Sequence, residues 1–144
     1  MAVARFRAWR FRHPDFDAAQ GTPGLAVDAS GAVSMVHEDA SVRQSVLLLL
    51  TTRPGERIML PTYGCELDQL LFDPNDDTTA GLAIHYVRKA LTRWEPRIDI
   101  LHLDASRSAE DPSRLDISLH FRVRPTLSEQ HLVHSLRLLP VEIR

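Results

Sequence analysis

Apolar residues recur along this chain with two different periods, one in each half. Between 39 and 50, Val42, Val46, Leu49 and Leu50 return at intervals of three and four, which predicts a helix, with Asp39 or Ser41 placed to cap its start. Thr51 and Thr52, then Pro54 and Gly55, stop it, because proline forces its predecessor out of helical geometry and glycine relaxes the turn. The stretch 57–60 reads as a short strand closed by Pro61 and followed by a Tyr63-Gly64 turn. From 66 to 72, Leu67, Leu70 and Leu71 fall one turn apart and predict a short helix. Asp73-Pro-Asn-Asp-Asp77 then supplies caps and negative charge to a helix over 78–94, whose apolar face is Leu82, Ile84, Tyr86, Val87, Ala90, Leu91 and Trp94. Glu95-Pro96 ends it.

Beyond Pro96 the period is two. Ile98, Ile100 and His102 alternate with Asp99 and Leu101; Leu115, Ile117, Leu119, Phe121 and Val123 alternate with Asp116, Ser118, His120 and Arg122. The second run predicts a strand with one face in water. The polar segment 106–113 between them is a hairpin loop, which implies antiparallel pairing. After Pro125, Leu132, Leu136 and Leu138 suggest a last strand, with Val141 and Ile143 as its continuation. Helices followed by an antiparallel sheet predict an α+β, two-layer domain: two main helices and a short one packed on a small sheet. Ahead of it, 13–34 carries Pro14, Gly21, Pro23, Gly24 and Gly31 and reads as linker, so the chain divides into an extended N-terminal arm and linker, 1–34, and a domain, 35–144.

At 144 residues, 44% hydrophobic and 25% charged, the chain is sized and composed for one globular fold. Its longest apolar run, 46–50, is too short for a bilayer, and Arg and aromatic residues near Met1 break up any signal-like stretch, so it is expected to be made and kept in the cytosol. One cysteine, Cys65, allows neither an internal disulfide nor a thiolate metal cluster and is expected to be a packed thiol. The net charge of −2 gives no overall argument for nucleic acid. Locally, Arg5, Arg7, Arg10 and Arg12 interleave with Phe6, Trp9 and Phe11. That pattern suits phosphates and bases, or an acidic partner protein; the protein partner is preferred, because a dozen residues without a supporting fold make a weak nucleic-acid signature.

Ser45-Val-Leu-Leu-Leu-Leu-Thr-Thr-Arg-Pro-Gly-Glu-Arg-Ile-Met-Leu-Pro-Thr-Tyr-Gly64, then Leu70-Leu71-Phe72, then Ala90-Leu-Thr-Arg-Trp-Glu-Pro-Arg-Ile98, resembles the phage baseplate wedge and sheath-initiator family shared by contractile phage tails, type VI secretion baseplates and extracellular contractile injection systems. The likeness runs over about 41–123. It implies a structural α+β protein of the inner baseplate, present in six copies, that contacts the core helical bundle of the wedge proteins and seeds the first ring of sheath protein, with tube or hub proteins as further neighbours. After cytoplasmic assembly it would remain in the finished particle. Glu95, Pro96 and Arg97 match the family's Glu-Pro-Arg motif, which the resemblance assigns to the wedge bundle.

The residues themselves carry a compatible chemistry. Pro96 pushes Glu95 toward extended backbone, so Glu95 and Arg97, two apart, project to the same side at a strand's start. A carboxylate acceptor and a planar guanidinium can dock a neighbouring helix; the alternative is an internal ion pair at the corner. On the docking reading, Arg97→Glu leaves the fold intact and abolishes partner binding. Glu56 and Arg57 repeat the theme at the earlier turn, with local pairing of Arg57 to Glu56 or Glu66 preferred over partner contact. Trp94 closes an apolar helical face and is first a core residue, second an interface anchor. Catalysis is not expected. Glycoside hydrolysis needs two carboxyl groups, one kept protonated, and Arg97 beside Glu95 favours the ionised form. No nucleophile elbow, phosphate-cradling loop or dinucleotide fingerprint is present, and no cofactor is implied. The seven histidines are taken as scattered surface residues; His131 and His134, three apart in a strand, would face opposite ways and not share a metal.

Overall fold

The computed structural model describes residues 6–13, 19 and 21–139. The chain forms two compact units, Met1–Ser45 and Val46–Arg144, and its elements are mixed α+β. Arg5, Pro14, Val141 and Ile143, to which roles were given above, lie outside the described residues.

Among the described residues the first unit holds four short strands. Strand β1 (Arg7–Trp9) pairs antiparallel with β4 (Met35–His37), and β2 (Phe11–Arg12) with β3 (Gly24–Leu25). Arg10 N donates to Ser34 O at 2.7 Å, Ala26 N to Arg10 O at 3.0 Å and Ser34 N to Ala26 O at 2.8 Å, threading 24–34 between the two pairs and burying Ala26. The Asp28 carboxylate accepts from the Ser30 hydroxyl at 2.5 Å, Ser30 N at 2.9 Å and Ala32 N at 3.1 Å; these bonds, the hydroxyl's foremost, fold the Gly31 turn and hold this carboxyl below the usual carboxylate range. The Gln44 amide is bonded to Trp9 O and Phe11 N, each at 2.8 Å. The segment read as arm and linker thus has its own backbone pairing. Strands of two and three residues are too short to display an alternating period, which is why no sequence pattern announced them.

Helix α1 (Glu38–Thr51) crosses from the first unit into the second. In the second unit a 3-10 helix (Glu66–Leu70) precedes α2 (Asp77–Trp94), which packs on β5 (Ile98–Arg107) and β6 (Arg114–Val123); β7 (Ser128–Arg137) completes an antiparallel sheet of order β5-β6-β7. Helix α2 begins where the Asp76 carboxylate accepts from Thr79 N at 2.9 Å, a side-chain cap that holds the Asp76 carboxyl below its ordinary range. Its buried stripe is Thr79, Ala83, Val87, Ala90 and Leu91, with Leu82 38% exposed. The expected face was therefore turned too far toward the larger residues; two alanines sit where the helix meets its neighbours.

Strand β6 is the centre of the core. Leu115, Ile117, Leu119, Phe121 and Val123 are all essentially inaccessible, and the intervening residues face out. Truncating a side chain as enclosed as Phe121 costs about 3–5 kcal/mol. Strand β5 is twice the length expected. Its register slips at Leu101, so that Ile100 pairs with Phe121 and His102 with His120; the bulge shifts the alternation by one and brings Leu103 and Ala105 inward. The strand expected at 57–60 is not formed: these residues make turns, with Ile58 93% and Met59 89% exposed and no strand alongside among the described residues. No helix among the described residues is long and apolar enough to cross a membrane.

Candidate functional site

The end of α2 makes a tight corner. Glu95 N still donates to Leu91 O at 2.9 Å, but Pro96 cannot continue the helix, and Glu95 lies at φ −129°, ψ 73°. Arg97 N is followed at once by β5, and Arg124 N, beyond the far end of β6, donates to Arg97 O at 2.9 Å. The corner is thus fixed by backbone on both sides.

Within it the two charged side chains meet each other. Arg97 Nε donates to Glu95 Oε1 at 2.6 Å and Arg97 Nη2 to Glu95 Oε2 at 2.9 Å, a two-pronged pair. Only 5% of the Glu95 side chain is exposed, against 30% of Arg97. The hydrogen bonds to Glu95 raise the Arg97 pKa above its already high ordinary value, so the guanidinium is locked in its charged form. The internal pair, the alternative left open by the residues alone, is the arrangement found. Arg97→Glu would set a second carboxylate against a buried one, so the expectation that it leaves the fold intact is corrected.

Beside the pair lies an open depression of about 450 Å³ lined by Arg88, Leu91, Thr92, Glu95, Pro96, Ile98, Asp99, Ile100 and Arg124. Asp99 is held by Arg124 at 2.7 Å and Arg122 at 3.6 Å. Pro96, Arg88 and Thr92 are exposed on its rim. None of the flanking cations was singled out from the sequence, since only the β5–β6 register brings Asp99 opposite Arg122.

The other acid and base form no mutual pair. Glu56 is bonded to Arg53 at 2.9 Å, which holds its carboxyl below the ordinary value, whereas Arg57 lies 4.3 Å from the centre of the Tyr63 ring. The expected pairing of Arg57 with Glu56 or Glu66 is corrected; Glu66 instead faces Lys89 at 3.7 Å. Trp94 is half-buried, edge-on to Tyr63 at 5.3 Å, with Arg93 4.9 Å from its ring. Through Tyr63 the structure brings Arg57 and Trp94 into one cluster, a link hidden by the long stretch of chain between them. Arg7 is exposed, and Arg10 and Arg12 are half-buried in the first unit.

Cys65 is 2% exposed and burial pushes its thiol up to about 12, so it is an inert core group at neutral pH. The histidines are not all scattered. His102, His120 and His131 are direct cross-strand neighbours on the outer face, with the His120 and His131 rings 6.3 Å apart. His131 and His134 do alternate in burial along β7, His131 exposed and His134 half-buried beside Leu132. Among the described residues no group of three or more His, Cys, Asp or Glu is arranged to hold a metal.

Corner, helix and sheet together define a scaffold whose features are charged pairs and a shallow depression. Residues 36–130 match the family described as baseplate wedge protein gp25, and this chain belongs to that family. Its relatives include baseplate wedge protein gp25 of Enterobacteria phage T4, 31% identical over 101 residues, which cover 70% of this chain and 76% of that protein. Among solved structures, a protein of Geobacter sulfurreducens designated a candidate tail lysozyme is 36% identical, with a TM-score of 0.66 over 74% of this chain and 97% of its own. A chain in the six-fold symmetrised baseplate of the anti-feeding prophage has a TM-score of 0.65 over 90% of this chain and 84% of its own; at 22% identity this likeness is one of fold.

Proposed function

We propose that this protein is a non-catalytic structural part of the baseplate of a contractile tail-like machine, where the Glu95-Pro96-Arg97 corner seats a helical segment of a neighbouring wedge protein and the sheet starts the sheath. Family membership supports the baseplate role. The observation that carries the docking role is the two-pronged Glu95–Arg97 pair on the edge of an open depression. Because Glu95 holds the guanidinium in one orientation, the exposed part of Arg97 meets a partner without first losing rotamer freedom. Arg88 and the exposed Pro96 complete a shallow seat in which Glu95 and Asp99 are already paired with Arg97 and Arg124, leaving Arg88 on the rim to meet a carboxylate on the incoming helix.

Sheath contact is supported by the sheet. Among the described residues β5 and β7 each have a strand on one side only, leaving backbone groups that can pair with an added strand. Sixfold repetition, assembly in the cytoplasm and contacts of Arg7, Arg10 and Arg12 with acidic partner surfaces belong to the same reading.

The Geobacter relative's designation raises glycoside hydrolysis as the competing role. The geometry of the corner opposes it, since both Glu95 oxygens already accept from Arg97 and the side chain is almost wholly buried, so neither oxygen is placed to protonate a glycosidic leaving group. The test is co-purification with the wedge proteins. Arg88→Glu, on the exposed rim, should fold like wild type and lose the partner. Unchanged co-purification would remove the docking role, and peptidoglycan cleavage lost in Glu95→Gln would establish the enzyme instead.

A further inference from the structure

The loop 53–64 is braced at its base and apolar at its tip. Across its neck Cys65 N donates to Thr52 O at 2.9 Å; inside it Glu56 N donates to Arg53 O at 3.1 Å, Leu60 N to Arg57 O at 3.2 Å and Tyr63 N to Leu60 O at 3.1 Å. Pro54 and Pro61 restrict the backbone near each end. Gly64, at φ +137°, fits where a Cβ would lie 2.5 Å from Thr52 O, so the neck is closed to every other residue. The Arg53–Glu56 pair and the Arg57–Tyr63–Trp94 cluster add side-chain braces.

All this bracing holds up two consecutive large apolar side chains that cover nothing, Ile58 at 93% and Met59 at 89% exposure. Adjacent apolar groups on a rigid protrusion mark a contact surface, and methionine adapts well to the shape of a socket. The surroundings are cationic on balance: Arg53, Arg57, Lys89 and Arg93 outnumber Glu56, Glu66 and Asp68, of which Glu56 and Asp68 act on Arg53 and Glu66 faces Lys89, while Arg57 and Arg93 lie against aromatic rings.

We infer that Ile58 and Met59 form a plug that enters an apolar socket, rimmed by carboxylates, on another baseplate protein. This deepens the function proposed above and rests on it. A second copy of the chain is the wrong occupant, because two like-charged collars would be brought together. A bilayer is disfavoured too: one myristoyl chain gives only marginal membrane binding, and Ile58 and Met59 offer fewer carbons than that. A preformed socket gains from shape as well as apolar area, and a loop already braced loses little entropy on entering it.

The experiment compares assembled particles containing the full-length chain, the double variant Ile58→Asp with Met59→Asp, and a chain carrying a benzophenone photo-crosslinker at 59. The double variant should unfold at the wild-type temperature, since both positions are exposed, yet enter particles about tenfold less or worse. The crosslinker should capture one baseplate protein other than this chain, at apolar residues flanked by Asp or Glu. Equal incorporation of the double variant overturns the inference, as does capture of a second copy. Pelleting of wild type, but not the double variant, with vesicles of equal parts phosphatidylcholine and phosphatidylglycerol would assign the plug to lipid and overturn it as well. Absence of the wild-type chain from particles would instead defeat the baseplate role itself.

Discussion

Two acid-base sites, at 53–57 and 95–97, use the same residue types at similar spacing and end up with opposite roles. At the helix-strand corner, Glu95 is buried and both its oxygens are taken by Arg97. At the earlier turn, Glu56 and Arg53 pair in solvent, with 44% and 62% of their side chains exposed, and Arg57 lies over the Tyr63 ring. Burial decides the difference. A carboxylate cut off from water depends on its cation, so the corner is a structural joint before it is anything else. An exposed pair is screened and contributes little, so the turn's charges are at liberty to shape a surface around Ile58 and Met59.

The sharpest way to break this contrast is to remove the cation from each site. A fully buried carboxylate left without its partner costs about 3–5 kcal/mol; with 30% of the Arg97 side chain exposed, Arg97→Ala should cost about 2–3 kcal/mol in urea unfolding. Arg57→Ala should stay within about 0.5 kcal/mol of wild type. Equal losses at the two sites would erase the distinction drawn between them.

Backbone substitutions sharpen it next. Gly64 and Gly55 both have positive φ, +137° and +96°, but a Cβ at Gly64 meets backbone whereas one at Gly55 meets nothing within 4 Å. Gly64→Ala should therefore cost more than about 1 kcal/mol and splay the neck of the loop. Gly55→Ala should carry only conformational strain and cost less. Thermal unfolding of the two variants side by side measures the gap.

The smallest effect is acid sensitivity at the turn. Bonding to Arg53 places the folded pKa of Glu56 below its ordinary 4.5. A group depressed on folding contributes stability that is complete above the unfolded value and is lost as pH falls through the lower, folded one. Protection against amide exchange at 53–60, taken relative to the intrinsic exchange rate at each pH, should accordingly fall as the solution is taken from pH 5 through the carboxylate range near 4. In Glu56→Gln that step should vanish.

The parts of the molecule legible in its sequence are those where one physical demand dominates. The β6 alternation is complete because one face is core and the other water, and α2 announces its start through Asp76 and its end through Pro96. What stayed hidden depends on distant partners or on a local exception. The Leu101 bulge cancels the alternation that would have extended β5, and the short strands at Arg7–Trp9 and Phe11–Arg12 exist only through Met35–His37 and Gly24–Leu25. Apolar residues at 58–60 look like strand because exposure is invisible in a composition of Ile, Met and Leu. At the site, the order Glu-Pro-Arg revealed the corner and its charges. Whether Glu95 faced inward, and that His102, His120 and His131 stand in a row, needed the register of the sheet.

The docking role of the corner is tested most directly by a cryo-EM reconstruction of the assembled baseplate at side-chain resolution. A helix of a neighbouring wedge protein should cross the depression beside Pro96, in contact with Arg97, with the Glu95–Arg97 pair unbroken beneath it. A corner that faces open solvent in the finished particle, or a pair that has separated to admit the partner, would contradict the account.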